Sequence, residues 1–198
     1  MATLSYATLP EYEGARGPAA GADKDRVTTL LLRASRAVDS HCGRRFYVDD
    51  ATSARTYEID DPDECAVVDD IATTVGLTVV DNDVTKVIGT DFYVEPTTGL
   101  GPTGEAWPIS RLELIRGAWT TGLGPKLVVT AKWGWPTAPP DLVKEATILL
   151  VADLVTAKDN RFGTIGFGDG SVMRARANPL VTEMLQDYVR ADVKIGIA

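Results

Sequence analysis

The stretch HCGRRFYV, His41–Val48, is where the chain changes from one kind of backbone pattern to another. On its N-terminal side Val27, Leu30, Leu31, Ala34, Ala37, Val38 and Cys42 keep the i, i+3, i+4, i+7 spacing of an amphipathic helix, with Asp23 as N-cap. Gly43 can take the left-handed conformation that stops such a helix. On the C-terminal side Phe46, Tyr47 and Val48 have the aromatic and β-branched character of a strand. Two arginines sit at the boundary. A guanidinium is always charged and grips carboxylates in bidentate fashion, so Arg44 and Arg45 are expected to lock the boundary to acids of the same or an adjacent chain. The competing reading is a pair of exposed arginines contributing little, since exposed ion pairs are worth only about 0–1 kcal/mol.

Upstream, a short helix is expected around Leu9–Glu13, before the loop GARGPAAGA. Downstream, ARTYEID, CAVVDDI, GLTVVDND, DFYVEP, SRLELIRG and KLVVTAKWG are β-branched and aromatic runs separated by Asp, Asn, Gly and Pro. No helical pattern lies between them, which predicts about six strands in a mostly antiparallel sheet and an α+β fold class. Helix resumes after WGWPTAPPD, with Pro140 at its first position and Asp141 complementing the helix dipole. From Leu142 to Ala157 this helix is apolar nearly all round, so it must be covered on several sides. Subunit packing and a central place in the monomer core both answer that need. A long loop follows, with Phe162, Ile165 and Phe167 among glycines, then a helix capped by Asn178 and opened by Pro179 with an apolar stripe of Leu180, Val181, Met184, Leu185, Tyr188 and Val189.

The 198 residues, 44% hydrophobic and 24% charged, form an ordinary globular composition with no apolar run near the roughly 18 residues that span a membrane. The start of the chain has neither a basic segment nor an apolar targeting core, so a cytosol-like compartment is expected. Between Glu58 and Glu95 stand eleven acids (Glu58, Asp60, Asp61, Asp63, Glu64, Asp69, Asp70, Asp81, Asp83, Asp91, Glu95) against the single base Lys86, in a chain of net charge −8. Such a segment repels phosphate backbones and argues against ordinary nucleic-acid binding; a solvated acidic face, which needs no function, is the simpler explanation.

Chemistry finds little purchase. Cys42 and Cys65 lie in no metal-binding or redox spacing and read as thiols in the core. His41, the only histidine, is placed to meet the C-terminal dipole of its helix. GTIGFGDGS follows a helix rather than a strand and lacks GK[ST], so phosphate-loop readings fail. Asp60 with Asp61, or Asp81 with Asp83, could serve acid/base or calcium chemistry, yet closely spaced Asp and Asn are also ordinary turn residues. Trp107, Trp119, Trp133 and Trp135 could make a carbohydrate- or protein-binding surface, or a packed corner. No catalytic residue, cofactor or metal is expected.

Taken in order, the helix ending CGRRF, the strand ARTY, CAVVDDIATTVGLTV, DFYVEP, VTAKWGWP, PPDLVKEATILLVADL, the GFGD loop and the helix opened by NP resemble the head-to-tail connector (adaptor) proteins of long-tailed bacteriophages, above all those of phages infecting actinobacteria. The likeness covers residues 23 to 190. It implies a small helical bundle core, 1–47 with 137–198, bearing a β-rich insertion, 48–136, between the first long helix and the second. It further implies a structural virion protein and not an enzyme: a ring, usually of twelve copies, under the portal protein, assembled in the host bacterial cytoplasm. The ring would extend the channel for double-stranded DNA without sequence-specific binding and meet the next connector, stopper or tail-terminator protein. A ring subunit contacts its neighbour through two different faces, for which Arg33, Arg36, Arg44, Arg45, Arg161, Phe162, Ile165, Phe167, Ile195 and Ile197 are the candidate interface residues.

Overall fold

The computed structural model describes residues 4–19, 21–59, 65–102, 104–121, 127–159 and 178–190. The chain divides into two compact units, one formed by Met1–Arg44 with Pro139–Ala198 and the other by Arg45–Ala138.

In the first unit, Thr8 caps helix α1 (Leu9–Arg16) through a reciprocal box: its hydroxyl accepts the Glu11 amide at 3.4 Å while the Glu11 carboxylate accepts the Thr8 amide at 2.6 Å. The hydrogen bonds to the Thr8 side chain and backbone hold the Glu11 carboxyl below its ordinary range. A 3-10 turn, Gly21–Asp23, leads into α2 (Lys24–Cys42). Asp23 stands at the N-cap but is itself helical (φ −93°, ψ −10°), and its side chain makes no capping bond. The periodic residues behave as the spacing requires: Val27, Leu31, Ala34, Ala37, Val38 and Cys42 are buried and Leu30 half-buried. Gly43 ends the helix in the left-handed region (φ 66°, ψ 23°), and the amides of Gly43 and Arg44 both donate to the Asp39 carbonyl, at 2.8 and 3.3 Å.

Helix α3 (Asp141–Asp159) starts one residue later than expected, with the Pro140 carbonyl accepting the Lys144 amide at 3.1 Å. It packs against α2 and α4 (Pro179–Leu185) and also touches α1. The surplus of apolar residues on α3 is thereby met mostly within the chain: Val143, Ala146, Ile148, Leu150 and Val151 are buried, Leu149, Leu154 and Val155 half-buried, and Leu142 is 48% exposed. Of the two ways of covering it, a central place among the helices accounts for most of this surface, and α1, though only two turns long, supplies a third neighbour. Buried hydroxyls do not disturb this packing, because Ser35 and Thr147 donate to the carbonyls one turn back, Leu31 and Val143, each at 2.8 Å. Asn178 caps α4 by accepting the Leu180 amide at 3.0 Å; Val181, Leu185 and Tyr188 face inward, whereas Leu180 is exposed.

The second unit is a six-stranded sheet: β1 (Ser53–Tyr57), β2 (Ala66–Asp81), β3 (Val84–Lys86), β4 (Phe92–Glu95), β5 (Ile109–Leu114) and β6 (Leu127–Trp133). The order is β1-β6-β2-β5-β4, with β3 beside the end of β2, and every strand pair is antiparallel. Two of the expected strands are one. The 16-residue β2 runs through CAVVDDI and GLTVVD because the β-branched ATTV between them stays extended, and Gly76 (φ 77°) accommodates an irregularity of register instead of a turn. The real turn is at Asn82 and Asp83, whose positive φ values of 48° and 63° suit a two-residue hairpin into β3, a strand too short to stand out in the sequence.

One side of the sheet holds the core: Val68, Ile71, Val79, Phe92, Leu112, Leu127, Val129 and Trp133 are nearly inaccessible. Where β6 leaves the sheet it meets the segment by which the chain entered it. Val48 pairs with Gly134, the Asp49 amide donates to the Trp133 carbonyl at 2.8 Å, and the Trp135 amide donates to the Tyr47 carbonyl at 3.1 Å. A Cβ on Gly134, itself at φ 114°, would stand 1.9 Å from the Tyr47 oxygen. Gly134→Ala is therefore expected to cost roughly 3 kcal/mol through combined clash and backbone strain. Chemical denaturation followed by tryptophan fluorescence should show a clearly lower midpoint, and an unchanged midpoint would contradict the close approach.

Candidate functional site

The boundary arginines fall on either side of the division between the units. Arg44 is half-buried at the end of α2. Its charge opposes the ionisation-suppressing effect of burial on the neighbouring Cys42, but burial prevails, with Asp39 adding to it, and the thiol is pushed up to about 12. Cys42 is inert in the core, and both cysteines are free. His41 ends α2 as the spacing predicts and is half-buried there.

Arg45 opens the second unit. Its two terminal nitrogens reach the two carboxylate oxygens of Asp49 at 3.2 and 3.1 Å, and the guanidinium lies 5.1 Å from the centre of the Tyr47 ring. Burial by itself would lower its pKa; the hydrogen bonds to Tyr47 and Asp49 outweigh that and leave it raised. Its carboxylate partner thus belongs to its own chain, four residues away. Asp49 is also within 3.7 Å of Arg55, which pairs with Asp69 at 2.6 Å and lies 4.3 Å from the centre of a Trp133 ring. The Tyr57 hydroxyl donates to the Asp69 carboxylate at 3.0 Å and accepts the Asp69 amide at 3.2 Å. Burial pushes this phenol up to about 12; the backbone hydrogen bond from Asp69 opposes that shift, and the Asp69 charge adds to it. The cluster bridges β1 to β2 over the intervening β6, with Trp133 beneath it.

On α2, Arg33 is exposed. Arg36 holds the N-terminal segment: it donates to the Leu4 carbonyl at 3.0 Å, pairs with Asp39 at 3.2 Å and lies 5.3 Å from the Tyr6 ring centre. The Tyr6 amide donates to Ser35 Oγ at 2.9 Å and its hydroxyl bonds Asp39. Residues Leu4–Thr8 are strapped along the helix by these contacts. Arg161, Phe162, Ile165, Phe167, Ile195 and Ile197 lie outside the described residues, as do Asp60 and Asp61.

Among the described residues, neither the tryptophans nor Asp81 with Asp83 form an open recognition or reaction surface. Trp133 and Trp135 are fully buried and Trp119 is 2% exposed; Trp135 packs 5.0 Å from both Phe46 and the half-buried Trp107. Trp133 donates its indole N–H to the Ser53 carbonyl at 2.8 Å. These rings make the packed corner. Asp81 is 3% exposed, lies 3.5 Å from Lys86 and accepts the Thr120 amide at 3.3 Å, so it anchors a loop to the hairpin, while Asp83 shapes the turn. The acidic segment is thus partly consumed by internal contacts: Asp69 by Arg55, Asp81 by Lys86, and Asp91 by the Val87 amide at 2.7 Å.

The Arg55 cluster was not singled out in the sequence. Arg55 and Tyr57 are two apart on a strand and so share a face, which was readable; that Asp69 would meet them depended on β6 inserting between β1 and β2. Partly exposed pairs of this kind are worth at most about 1 kcal/mol each, with a similar increment from the cation–π contact. A double-mutant cycle of Arg55→Ala and Asp69→Asn, read by thermal or chemical denaturation, should give a coupling energy of about 1 kcal/mol; a coupling indistinguishable from zero would reduce the cluster to a surface coincidence.

No family model and no curated protein matches the chain. Among solved structures, the chain is similar to one in the neck of an empty GTA (gene transfer agent) particle, computed with C6 symmetry. The TM-score is 0.52 at 14% sequence identity, and the likeness covers 92% of this chain and 89% of that one. The shared property is the fold, across both the helical and the sheet-bearing unit.

Proposed function

We propose that the chain is a structural component of the neck of a phage-like particle, a head-to-tail connector that closes into a ring and prolongs the channel through which double-stranded DNA passes. The observation that carries this reading is the agreement of fold with a neck chain over nine-tenths of both sequences. The ordered motifs from CGRRF to the NP-opened helix support it independently, since they resemble connector proteins, those of actinobacterial phages most of all. A role of this kind asks for rigid units and interfaces and for no reacting group. The net charge of −8 suits a wall that DNA slides past, because a basic wall would hold the phosphates by releasing their counterions. The portal on one side and a stopper or tail-terminator protein on the other are the partners this role requires, and the virion is where the protein would reside. Burial of Trp119, Trp133 and Trp135 gives no support to a carbohydrate-binding alternative.

Mass photometry and negative-stain electron microscopy of the purified chain, alone and mixed with its portal, test the proposal. A closed ring of about a dozen copies is expected in at least one condition. A compact monomer or simple dimer in both would overturn it.

A further inference from the structure

The sheet has a second side, and its composition changes from one end to the other. Because directly opposed residues in antiparallel strands share a face, the register defines the rows on the side away from the core. At the β4–β5 end the rows are charged: Glu95, Arg111 and Val67 in one, Tyr93 and Glu113 in the next. At the β1-β6-β2-β3 end they are Ala54, Thr130 and Thr78, then Thr56, Val128, Val80 and Thr85, and the half-buried Lys132, opposite Thr73, bounds them two residues further along β6. All seven are exposed or half-buried, and none carries a charge. The opposite side of the same strands is core, with Val79, Leu127, Val129 and Ala131 inaccessible. A solvated sheet face in a chain that is 24% charged is expected to alternate inward apolar residues with outward polar and charged ones. The departure is local to these four strands. Just after β3, Val87 is 53% and Ile88 47% exposed.

We infer that this uncharged threonine and valine face of β1, β6, β2 and β3 is a contact between copies of the chain, an inference that rests on the ring proposed above. Charge selects the occupant. Every copy carries −8, so the different face that a ring neighbour presents approaches with least repulsion at a patch without charge. Phosphate backbones would find no lysine or arginine among the seven residues and only Lys132 at their margin, too little charge to hold them. A small molecule would want a concave site with convergent polar groups, and these rows form one face of a sheet. Size sets a limit on the claim: four strands about 4.8 Å apart and some five residues long cover about 300 Å², less than the roughly 800 Å² each partner buries in a standard interface. The face is then the dry centre of a larger contact, the place where a buried charge is most disruptive.

Single variants Thr56→Glu and Thr78→Glu place a carboxylate in that centre at positions already exposed, and Thr97→Glu, on the exposed turn after β4, is the control. Sedimentation over a concentration series is the readout, with melting temperature checked for each protein. The expected result is at least about a tenfold weakening of assembly for either face variant, no change for the control, and recovery in Thr56→Gln. Should one glutamate variant melt early, Thr85→Glu on the short β3 takes its place. Folded face variants that assemble like the parent chain would overturn the inference while leaving the ring intact. A parent chain that stays monomeric at every concentration and with its portal would overturn the ring reading and this inference with it.

Discussion

The second unit depends on one close approach, that of the Gly134 α-carbon to the Tyr47 carbonyl. There the strand that leaves the sheet crosses the segment that enters it, near enough that any side chain at 134 would occupy the space of the oxygen. Three backbone hydrogen bonds draw the crossing tight, from Asp49 to Trp133, from Trp135 to Tyr47 and from Gly134 to Asp70. Around it Phe46, Trp107, Trp133 and Trp135 exclude water, so these backbone bonds are made in a medium where leaving them unmade would be expensive. The entry and exit of a 94-residue excursion are thereby fixed at one point. The sheet can vary in its loops without moving its ends.

Charge plays a supporting part. The paired arginines that mark the boundary in the sequence end up in different units. Arg45 is absorbed by Asp49 next to the crossing, and the larger electrostatic cluster, Arg55 with Asp49, Asp69 and Tyr57, lies over Trp133 on the same corner. Each pair is partly exposed, so the cluster adds to what the aromatic packing provides and does not replace it.

Much of this was legible in the chain. The period of α2, its stop at Gly43, the Asn178–Pro179 opening of α4 and the antiparallel character of the sheet each follow from local spacing or from a residue whose backbone preference is strong. The errors have a common source. Reading β2 as two strands treated Gly76 as punctuation, when only pairing with β6 shows that the strand continues. Arg55, Asp69 and the neutral rows of the outer face depend on strand order, which no local pattern encodes. The contact of Arg36 with the N-terminal strap joins segments some thirty residues apart, which spacing along one helix cannot reveal.

The proposed function joins a fold shared with a neck chain to an ordered set of motifs. The most direct measurement is an electron cryomicroscopy map of the particle that carries this chain. The account predicts density for the six-stranded sheet and its helices, repeated around the axis at the junction of head and tail. A neck fully explained by other proteins, with this chain elsewhere in the particle or missing from it, would contradict it.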